Sequence, residues 1–309
     1  MLSSILSFKK KPFLIIYSLL IAVFSVISIH AQDSPGELTL ERIFVDNEFA
    51  SERFGPARWL EDGSGYTTLE SSESELGGRE SIKYDPKSGE RTLLVTTEQL
   101  VPVGEERPLQ ISDYHWSPDG SKLLIFTNTQ RVWRYHTRGD YWVMDLESGK
   151  LNQLGVFAEP STLMFAKFSP DGKKVGYVVK HNIFVEDLGN NEIIQLTSDG
   201  TEDLINGTFD WVYEEEFGLR DGFRWSPDSK SIAYWQLDAS EVRDFYMINN
   251  TDSIYSYNVP VQYPKVGEDP SSCKIGYVSV DGGNTTGLTI PGDSMQNFLP
   301  RRGGGGEWG

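Results

Sequence analysis

The sequence predicts an all-β fold, a β-propeller of about four-stranded blades, and three observations support this prediction. One turn motif recurs at nearly regular steps, and a second turn signal recurs between its copies. The segments between the turns are short and rich in β-branched and aromatic residues, which is typical of strands. No segment between these turns has the 3.6-residue periodicity of an amphipathic helix of normal length.

The first turn motif occurs four times and starts at residues 59, 116, 168 and 225, so its copies lie 57, 52 and 57 residues apart. The copies read Trp-Leu-Glu-Asp-Gly, Trp-Ser-Pro-Asp-Gly, Phe-Ser-Pro-Asp-Gly and Trp-Ser-Pro-Asp-Ser. Ser-Pro-Asp-Gly suits a type I turn, because proline presets the second position and glycine is favoured at the fourth. A repeat of this period is typical of a solenoid or a propeller.

The segments between the turns predict two hairpins in each repeat. Apolar strands follow three of the turns, at residues 122–126, 174–179 and 231–235. The second turn signal occurs at residues 84–89, 144–149 and 186–190. Four antiparallel strands in about 55 residues, repeated, favour a propeller blade over a solenoid coil. A tandem array of immunoglobulin-like domains is the alternative, but such domains need about 100 residues each.

The repeat pattern changes towards the C-terminus. Residues 274–280, a turn at 281–283 and residues 286–290 predict a strand, a turn and a strand, which we expect to begin a further repeat. The pattern then stops, so we expect a partial propeller over residues 36–301. Residues 302–309 form a Gly-rich tail, which we expect to reflect a truncated or altered reading frame, with a natural tail as the alternative.

The N-terminal segment predicts export. Three lysines at residues 9–11 precede an apolar run over residues 12–29, and Ile-His-Ala at 29–31 resembles a signal-peptidase site. Residues 1–31 are therefore expected to be a signal peptide. The run is also close to the length that spans a bilayer, so an uncleaved membrane anchor is the alternative. Either case places the remaining chain in the periplasm or outside the cell.

Composition excludes several classes of function. Forty-five acidic and 28 basic residues give a net charge of -17, which opposes binding to nucleic acid and to anionic membrane surfaces. Cys273 is the single cysteine, so the sequence predicts no internal disulfide and no multi-thiolate metal site. The four histidines are scattered singly, without the spacing of metal ligands on a helix. We therefore expect no metal and no cofactor.

Residues 210–217 read Asp-Trp-Val-Tyr-Glu-Glu-Glu-Phe, and this octad is the strongest functional signal in the chain. Three adjacent carboxylates among aromatic side chains repel one another and lose hydration when partly buried, so they favour binding of a cation. The ammonium group of a peptide's amino terminus is such a cation. Asp210 is expected to cap a short helix that carries the glutamates, with Glu214 turned away from the other two. The alternative is a solvated acidic helix start without a ligand.

The octad and three other segments resemble the N-terminal propeller of the dipeptidyl peptidase IV family of serine exopeptidases. These segments are Asn-Gly-Thr-Phe-Asp at 206–210, Trp-Ser-Pro at 225–227 and Val-Gln-Tyr-Pro-Lys at 261–265. The resemblance covers roughly residues 36–301. It implies an eight-bladed propeller followed by an α/β-hydrolase domain, so the repeats of this chain would make up roughly half of the ring.

The resemblance also implies roles for individual residues. It assigns Glu215 and Glu216 to gripping the α-ammonium group of a substrate, to which carboxylates can make charge-assisted hydrogen bonds. Such a grip would place cleavage after two residues, because it fixes the distance from the amino terminus to the nucleophile. Trp-Arg-Tyr-His at 133–136 matches the family's Trp-Arg segment and implies that Arg134 holds a backbone carbonyl of the substrate. The alternative for Arg134 is a cation–π contact at the surface.

The sequence contains no Gly-x-Ser-x-Gly motif, which usually carries the nucleophile of an α/β-hydrolase. We therefore predict no catalytic residue in this chain, and the missing hydrolase domain as its structural partner. The expected function is the substrate-gating propeller of an exopeptidase that releases N-terminal Xaa-Pro or Xaa-Ala dipeptides, inactive on its own. The alternative is a non-catalytic exported propeller that binds a peptide or protein partner through its blade faces.

Overall fold

The computed structural model describes residues 38–51, 54–292 and 298–299 of the chain. The predicted signal or anchor over residues 1–31 and the Gly-rich tail over residues 302–309 lie outside this part. Within the described residues, no helix combines the length and the apolar character needed to cross a membrane.

The chain divides into two compact units, Met1–Arg53 and Phe54–Gly309. In the described part of the first unit, Glu41–Val45 form a π-helix, and the N–H of Asp46 donates to the carbonyl of Glu41 at its end. The described part of the second unit carries the strands, a short 3-10 helix at Glu98–Leu100 and one α-helix.

Within the described residues, the second compact unit contains four antiparallel repeats in which the strands pair in chain order. Repeat 1 contains β1 (Arg58–Trp59), β2 (Tyr66–Ser71), β3 (Arg79–Tyr84) and β4 (Arg91–Val95). Repeat 2 contains β5 (Asp113–Trp116), β6 (Lys122–Val132), β7 (Tyr135–Asp145) and β8 (Leu151–Gln153). Repeat 3 contains β9 (Leu163–Phe168), β10 (Lys174–Val179), β11 (Asn182–Asp187) and β12 (Ile193–Gln195). Repeat 4 contains β14 (Phe223–Trp225), β15 (Ser231–Asp238), β18 (Ser272–Ser279) and β19 (Thr286–Gly287).

Three further elements lie between or beside these strands. They are β13 (Leu204–Asn206), which pairs with β15, the helix α1 (Trp211–Phe217), and a separate hairpin of β16 (Asp244–Asn249) and β17 (Tyr257–Gln262). Strand β7 also pairs with β9 through Arg138 and Gly139, so repeats 2 and 3 share one eight-stranded sheet. Helix α1 follows β13 and precedes β14, so it belongs to the connection from repeat 3 to repeat 4.

The first turn motif lies at the same place in every repeat, between the first and second strands. In repeat 2, the N–H of Gly120 donates to the carbonyl of Ser117 at 2.8 Å, which closes the predicted four-residue turn. Asp119 accepts hydrogen bonds from Ser117 and Ser121, and these bonds lower the pKa of Asp119 to about 2. Gly120 has a φ of +69°, and Ser229 takes the same left-handed position in repeat 4 with a φ of +63°.

The strand near Lys274 does not begin a further repeat, and this prediction was wrong. Strand β18 pairs with β15 without interruption from Ser231↔Ser279 to Asp238↔Ser272, and β19 then pairs with β18. The predicted strand over residues 286–290 is shortened to Thr286–Gly287. These strands complete repeat 4, and the β16–β17 hairpin inserted before β18 disguises the repeat spacing in the sequence.

The cores form where the faces of successive repeats meet. Repeats 1 and 2 contribute Leu69, Val95, Tyr114, Leu123, Ile125 and Met144 to one cluster. Repeats 2 and 3 contribute Leu124, Tyr141, Val143, Val175, Tyr177 and Phe184 to the next. Repeats 3 and 4 contribute Val178, Ile183, Val185, Phe223, Ile232 and Val278 to a third. Each large side chain buried in this way contributes roughly 1.5–3 kcal/mol.

The all-β prediction is confirmed, and the repeats have the four strands that the turn spacing predicts. Among the described residues no sheet closes on itself. The number of blades in a complete ring therefore stays a prediction.

Candidate functional site

Helix α1 begins as its sequence predicts. The side chain of Asp210 accepts a hydrogen bond from the N–H of Tyr213 at 3.0 Å, so Asp210 is the predicted N-cap. Its other carboxylate oxygen accepts from the hydroxyl of Ser271 at 2.6 Å, and burial raises the pKa of Asp210. Gly218 ends the helix in the left-handed conformation, with a φ of +66°.

The aromatic residues of the octad attach the helix to the fold. Tyr213 is fully buried, packs on Phe209 with 5.3 Å between ring centroids, and accepts a hydrogen bond from the N–H of Leu299 at 3.0 Å. Trp211 contacts the ring of Tyr263, with centroids 4.6 Å apart. Because Trp211 and Tyr213 point to different sides of a helix of only seven residues, their contacts fix the helix, and the direction of each glutamate is set by the framework.

The three glutamates of the helix have different environments. The side chain of Glu214 is 5 % exposed and that of Glu215 is 9 % exposed, whereas Glu216 is exposed at the surface. Glu214 forms an ion pair with Arg220, whose Nε lies 3.4 Å from Oε1. Burial raises the pKa of Glu214, and the charge of Arg220 opposes this shift. Glu214 is therefore engaged with Arg220 inside the protein, whereas Glu216 faces solvent.

Arg134 reaches the helix from repeat 2. Strands β6 and β7 pair as far as Val132 and Tyr135, so Trp133 and Arg134 form a two-residue loop at the hairpin tip. The guanidinium Nε of Arg134 lies 2.6 Å from Oε2 of Glu215. The structure thus brings together two of the three predicted binding residues, from distant parts of the sequence, and the third follows directly along the helix.

This arrangement can bind a ligand that carries both a cation and a hydrogen-bond acceptor. A carboxylate has about four acceptor sites, so the bond to Arg134 leaves Glu215 with capacity for another donor. Glu216 is accessible to solvent, and 75 % of the Arg134 side chain is exposed. Guanidinium groups present several donors in a planar fork, so Arg134 can also donate to a carbonyl oxygen.

Sequence reasoning missed two residues at this site, Arg220 and Tyr135. The guanidinium carbon of Arg220 lies 3.6 Å from the centroid of the Tyr135 ring, at the base of the Arg134 loop. The sequence offered only weak signals, a cation two residues after the glycine that ends the helix and an aromatic residue beside Arg134. The cation–π contact in this region is made by Arg220, whereas Arg134, for which such a contact was the alternative, contacts Glu215.

No group of three or more histidine, cysteine, aspartate or glutamate side chains in the described residues is arranged to hold a metal ion. Cys273 is a buried free thiol in the core beside Tyr213, and burial raises its pKa to about 11. A thiol in this state is a poor nucleophile and a poor metal ligand.

The profile of the family described as Dipeptidyl peptidase IV (DPP IV) N-terminal region matches residues 117–301, which include the Arg134 hairpin and the octad. The chain belongs to this dipeptidyl peptidase IV family. Dipeptidyl aminopeptidase B of Saccharomyces cerevisiae is 32 % identical over 188 residues, which are 59 % of this chain and 22 % of the yeast protein. Prolyl endopeptidase FAP of Mus musculus is 30 % identical over 163 residues, 52 % of this chain and 21 % of the mouse protein.

A solved structure shares the fold of this dipeptidyl peptidase IV region. The crystal structure of Porphyromonas gingivalis dipeptidyl peptidase 4 superposes with a TM-score of 0.71 and 29 % sequence identity. The superposition covers 84 % of this chain and 36 % of the bacterial protein. The chain therefore spans about a fifth of the length of the curated relatives it matches, and about a third of the solved structure.

Proposed function

We propose that this chain is the substrate-binding propeller region of a dipeptidyl peptidase, a serine exopeptidase that removes dipeptides from peptide amino termini. Glu215 and Glu216 bind the α-ammonium group of the substrate, and Arg134 binds its first carbonyl oxygens. Membership of the dipeptidyl peptidase IV family supports this proposal, as do the names of the similar proteins from yeast and Porphyromonas gingivalis, a dipeptidyl aminopeptidase and a dipeptidyl peptidase.

The observation that carries the proposal is the contact between Arg134 and Glu215. A hairpin tip of repeat 2 and a helix between repeats 3 and 4 converge to place a guanidinium 2.6 Å from a carboxylate, with a second carboxylate on the next residue. The first residues of a peptide carry an ammonium group followed by carbonyl groups. Charge-assisted hydrogen bonds from ammonium to carboxylate and from guanidinium to carbonyl would match this order.

The proposal explains why cleavage would follow the second residue. When the amino terminus is held at a set place, only one peptide bond lies within reach of a nucleophile at a set distance. The serine, histidine and acid of that reaction would come from an α/β-hydrolase domain, as the family resemblance implies. The expected product is then a dipeptide with proline or alanine as its second residue. The ring of eight blades is part of the same proposal, as is export through residues 1–31 as a signal or through an anchor over residues 12–29.

The proposal is tested by substituting the carboxylates while keeping their shape. In a Glu215→Gln/Glu216→Gln variant, we expect the affinity of the chain for Ala-Pro-amide, measured by isothermal titration calorimetry, to fall about 100-fold or more. Hydrogen bonds to charged groups contribute roughly 1.5–3 kcal/mol each, and each 1.4 kcal/mol corresponds to tenfold in affinity.

A matched control carries the same change of charge elsewhere. Glu241 and Glu268 are both exposed and lie outside the site, so Glu241→Gln/Glu268→Gln should keep the affinity of the original chain. Far-ultraviolet circular dichroism of both variants checks that the fold is retained. If the Glu215/Glu216 variant folds and binds Ala-Pro-amide as tightly as the original chain, these glutamates do not bind the amino terminus.

A further inference from the structure

Arg220 lies between the two elements that form the proposed binding site. Its guanidinium contacts the ring of Tyr135, next to Arg134 in the hairpin, with 3.6 Å from the guanidinium carbon to the ring centroid. Its Nε lies 3.4 Å from the carboxylate of Glu214, next to Glu215 in the helix. One side chain thus contacts the sequence neighbours of both Arg134 and Glu215, without contacting either of these in the described interactions.

The contact with Tyr135 is a cation–π interaction in a partly shielded place. The side chain of Arg220 is 26 % exposed, and such contacts contribute roughly 0.5–1 kcal/mol at exposed sites and ~2 kcal/mol when desolvated. Arg220 is itself held close to the helix, because the neighbouring Leu219 donates its N–H to the carbonyl of Tyr213. Arg220 therefore fixes the position of the Tyr135 ring relative to helix α1.

The hairpin that carries Arg134 needs such a contact, because its own ladder is irregular. The register of β6 and β7 shifts between Thr127 and Gln130 and again between Gln130 and Arg131. Trp133 in the loop has a φ of +51°, an uncommon conformation for a bulky residue. Beyond Gln130, the strand pairing alone does not define the direction of the tip. A contact at the tip, such as that of Tyr135 with Arg220, defines it.

The contact with Glu214 is a different interaction with a different consequence. Glu214 is almost fully buried, and an ionised carboxylate in such a place is costly unless a cation lies beside it. Loss of Arg220 would therefore destabilise the fold through Glu214, whatever happens at the hairpin. Replacing Glu214 by glutamine removes this cost, so the two contacts can be separated by experiment.

We propose that Arg220 is a positioning residue, which holds the β6–β7 tip through Tyr135 so that Arg134 meets Glu215. Arg220 does not touch the ligand. The expected effect on affinity for peptide amino termini rests on the function proposed above, whereas the expected effect on the hairpin tip does not depend on it.

The test compares four variants of the full 309-residue chain, and a fifth that combines three of their substitutions. Arg220→Met removes both contacts, and Arg220→Met/Glu214→Gln also removes the buried charge. Tyr135→Leu removes only the ring. Arg243→Met is the control, because Arg243 is 81 % exposed, carries a similar loose ion pair and directly precedes β16, outside the hairpin tip and helix α1.

The first measurement is hydrogen exchange at the amides of residues 131–135. We expect exchange about tenfold faster in Arg220→Met and in Tyr135→Leu, and unchanged exchange in Arg243→Met. The double variant Arg220→Met/Glu214→Gln should regain stability to urea while its tip still exchanges fast, because glutamine at 214 does not restore the contact with Tyr135. If the tip of Arg220→Met is as protected as in the original chain, or if glutamine at 214 restores its protection, Arg220 acts only by neutralising Glu214 and the proposal is wrong.

The second measurement is the affinity for Ala-Pro-amide of the same variants. We expect about a tenfold loss, ~1.4 kcal/mol, for Arg220→Met/Glu214→Gln and for Tyr135→Leu. Adding Tyr135→Leu to the double variant should cause little further loss, because both changes remove the same contact. If the original chain does not bind Ala-Pro-amide at all, the proposed function fails and hydrogen exchange alone decides the role of Arg220. Unchanged affinity in variants with a loosened tip would overturn the link from tip to site.

Discussion

Repeats 2 and 3 each contain a hairpin of second and third strands, and the two hairpins differ in length and in what they contact. Strands β10 and β11 have six residues each and pair without a break from Lys174↔Asp187 to Val179↔Asn182. Strands β6 and β7 have eleven residues each, and their pairing shifts register beyond Thr127. The short hairpin is nearly all buried, whereas the long one continues into an exposed tip.

The ends of the two hairpins are held by different kinds of contact, hydrogen bonds to the backbone in one and side-chain contacts in the other. The β10–β11 turn is held by the framework, since the N–H and side chain of Asn206 both donate to the carbonyl of His181. The β6–β7 tip is held by ionic and cation–π contacts with helix α1, through Arg134 and Tyr135. The difference teaches that the short hairpin is part of the buried framework, whereas the extra length of the other hairpin carries Arg134 to the proposed binding site.

The largest expected effect is a loss in the free energy of unfolding when a side chain of each hairpin is truncated to alanine. Ile183 in β11 is fully buried, whereas Val132 near the tip of β6 is only half-buried. We expect Ile183→Ala to lower the free energy of unfolding by ~3–4 kcal/mol, within the range for truncating a buried isoleucine. Val132→Ala should cost less than ~1 kcal/mol. Urea denaturation followed by tryptophan fluorescence measures both, and equal losses would contradict the division between framework and extension.

A smaller loss of stability is expected when a methyl group is added at Gly139, where the long hairpin extends beyond the buried framework. A Cβ atom on Gly139 in β7 would collide with the ring of Phe126 and would lie 2.6 Å from the carbonyl oxygen of Thr127. On Gly176 in β10, the nearest atom is a ring carbon of Phe223 at 3.1 Å. We expect Gly139→Ala to cost ~1–3 kcal/mol by overpacking, and Gly176→Ala to cost less.

Thermal denaturation of these two alanine variants ranks them directly. The predicted order has the lower melting temperature for Gly139→Ala. A lower melting temperature for Gly176→Ala would contradict this account, because it would mean that β6 and β7 can make room for a methyl group on Gly139.

The smallest expected effect is a pH dependence within repeat 3. Glu186 is buried, accepts hydrogen bonds from the N–H of Gly155 at 2.9 Å and from the hydroxyl of Tyr177 at 3.0 Å, and has a pKa raised by burial. Because the folded pKa lies above the ordinary value of 4.5, the protonated carboxyl stabilises the fold below that value. This contribution is lost as pH rises through the folded pKa.

The matching variant is Glu186→Gln, which keeps the shape and removes the titration. Free energies of unfolding, measured from pH 4 to pH 7, should show the original chain losing stability relative to the variant as pH rises. A constant difference between the two proteins across this range would mean that Glu186 does not titrate as its burial indicates.

The repeated turns show which parts of the fold could be predicted from the sequence. Ser-Pro-Asp-Gly encodes its turn locally, through proline and glycine backbone preferences, so the sites of the first hairpins were predicted correctly. The third strand of repeat 4 was misassigned because the pairing of β18 with β15 spans an inserted hairpin, and strand pairing over such a distance leaves no local pattern. The start of helix α1 was predicted, since the Asp210 cap acts within a few residues of the chain.

The proposed binding site was predictable only in part for the same reason. The glutamates are adjacent in sequence, so their clustering was visible, and Arg134 entered through the family resemblance. The distance of 2.6 Å from Nε of Arg134 to Oε2 of Glu215 depends on how far β6 and β7 extend and on where the tip turns. Strand propensity encodes neither. Arg220 and Tyr135 were missed because each has an ordinary local role, and only the fold brings them into contact.

The most direct test of the central claim, that Glu215 and Glu216 hold an amino terminus, changes the ligand and leaves the protein intact. Isothermal titration calorimetry would compare Ala-Pro-amide with N-acetyl-Ala-Pro-amide, which keeps both side chains and carbonyl groups but has no ammonium group. We predict binding about 100-fold or more weaker for the acetylated peptide, from the loss of charge-assisted hydrogen bonds to two carboxylates. Equal affinity for the two peptides would contradict the account.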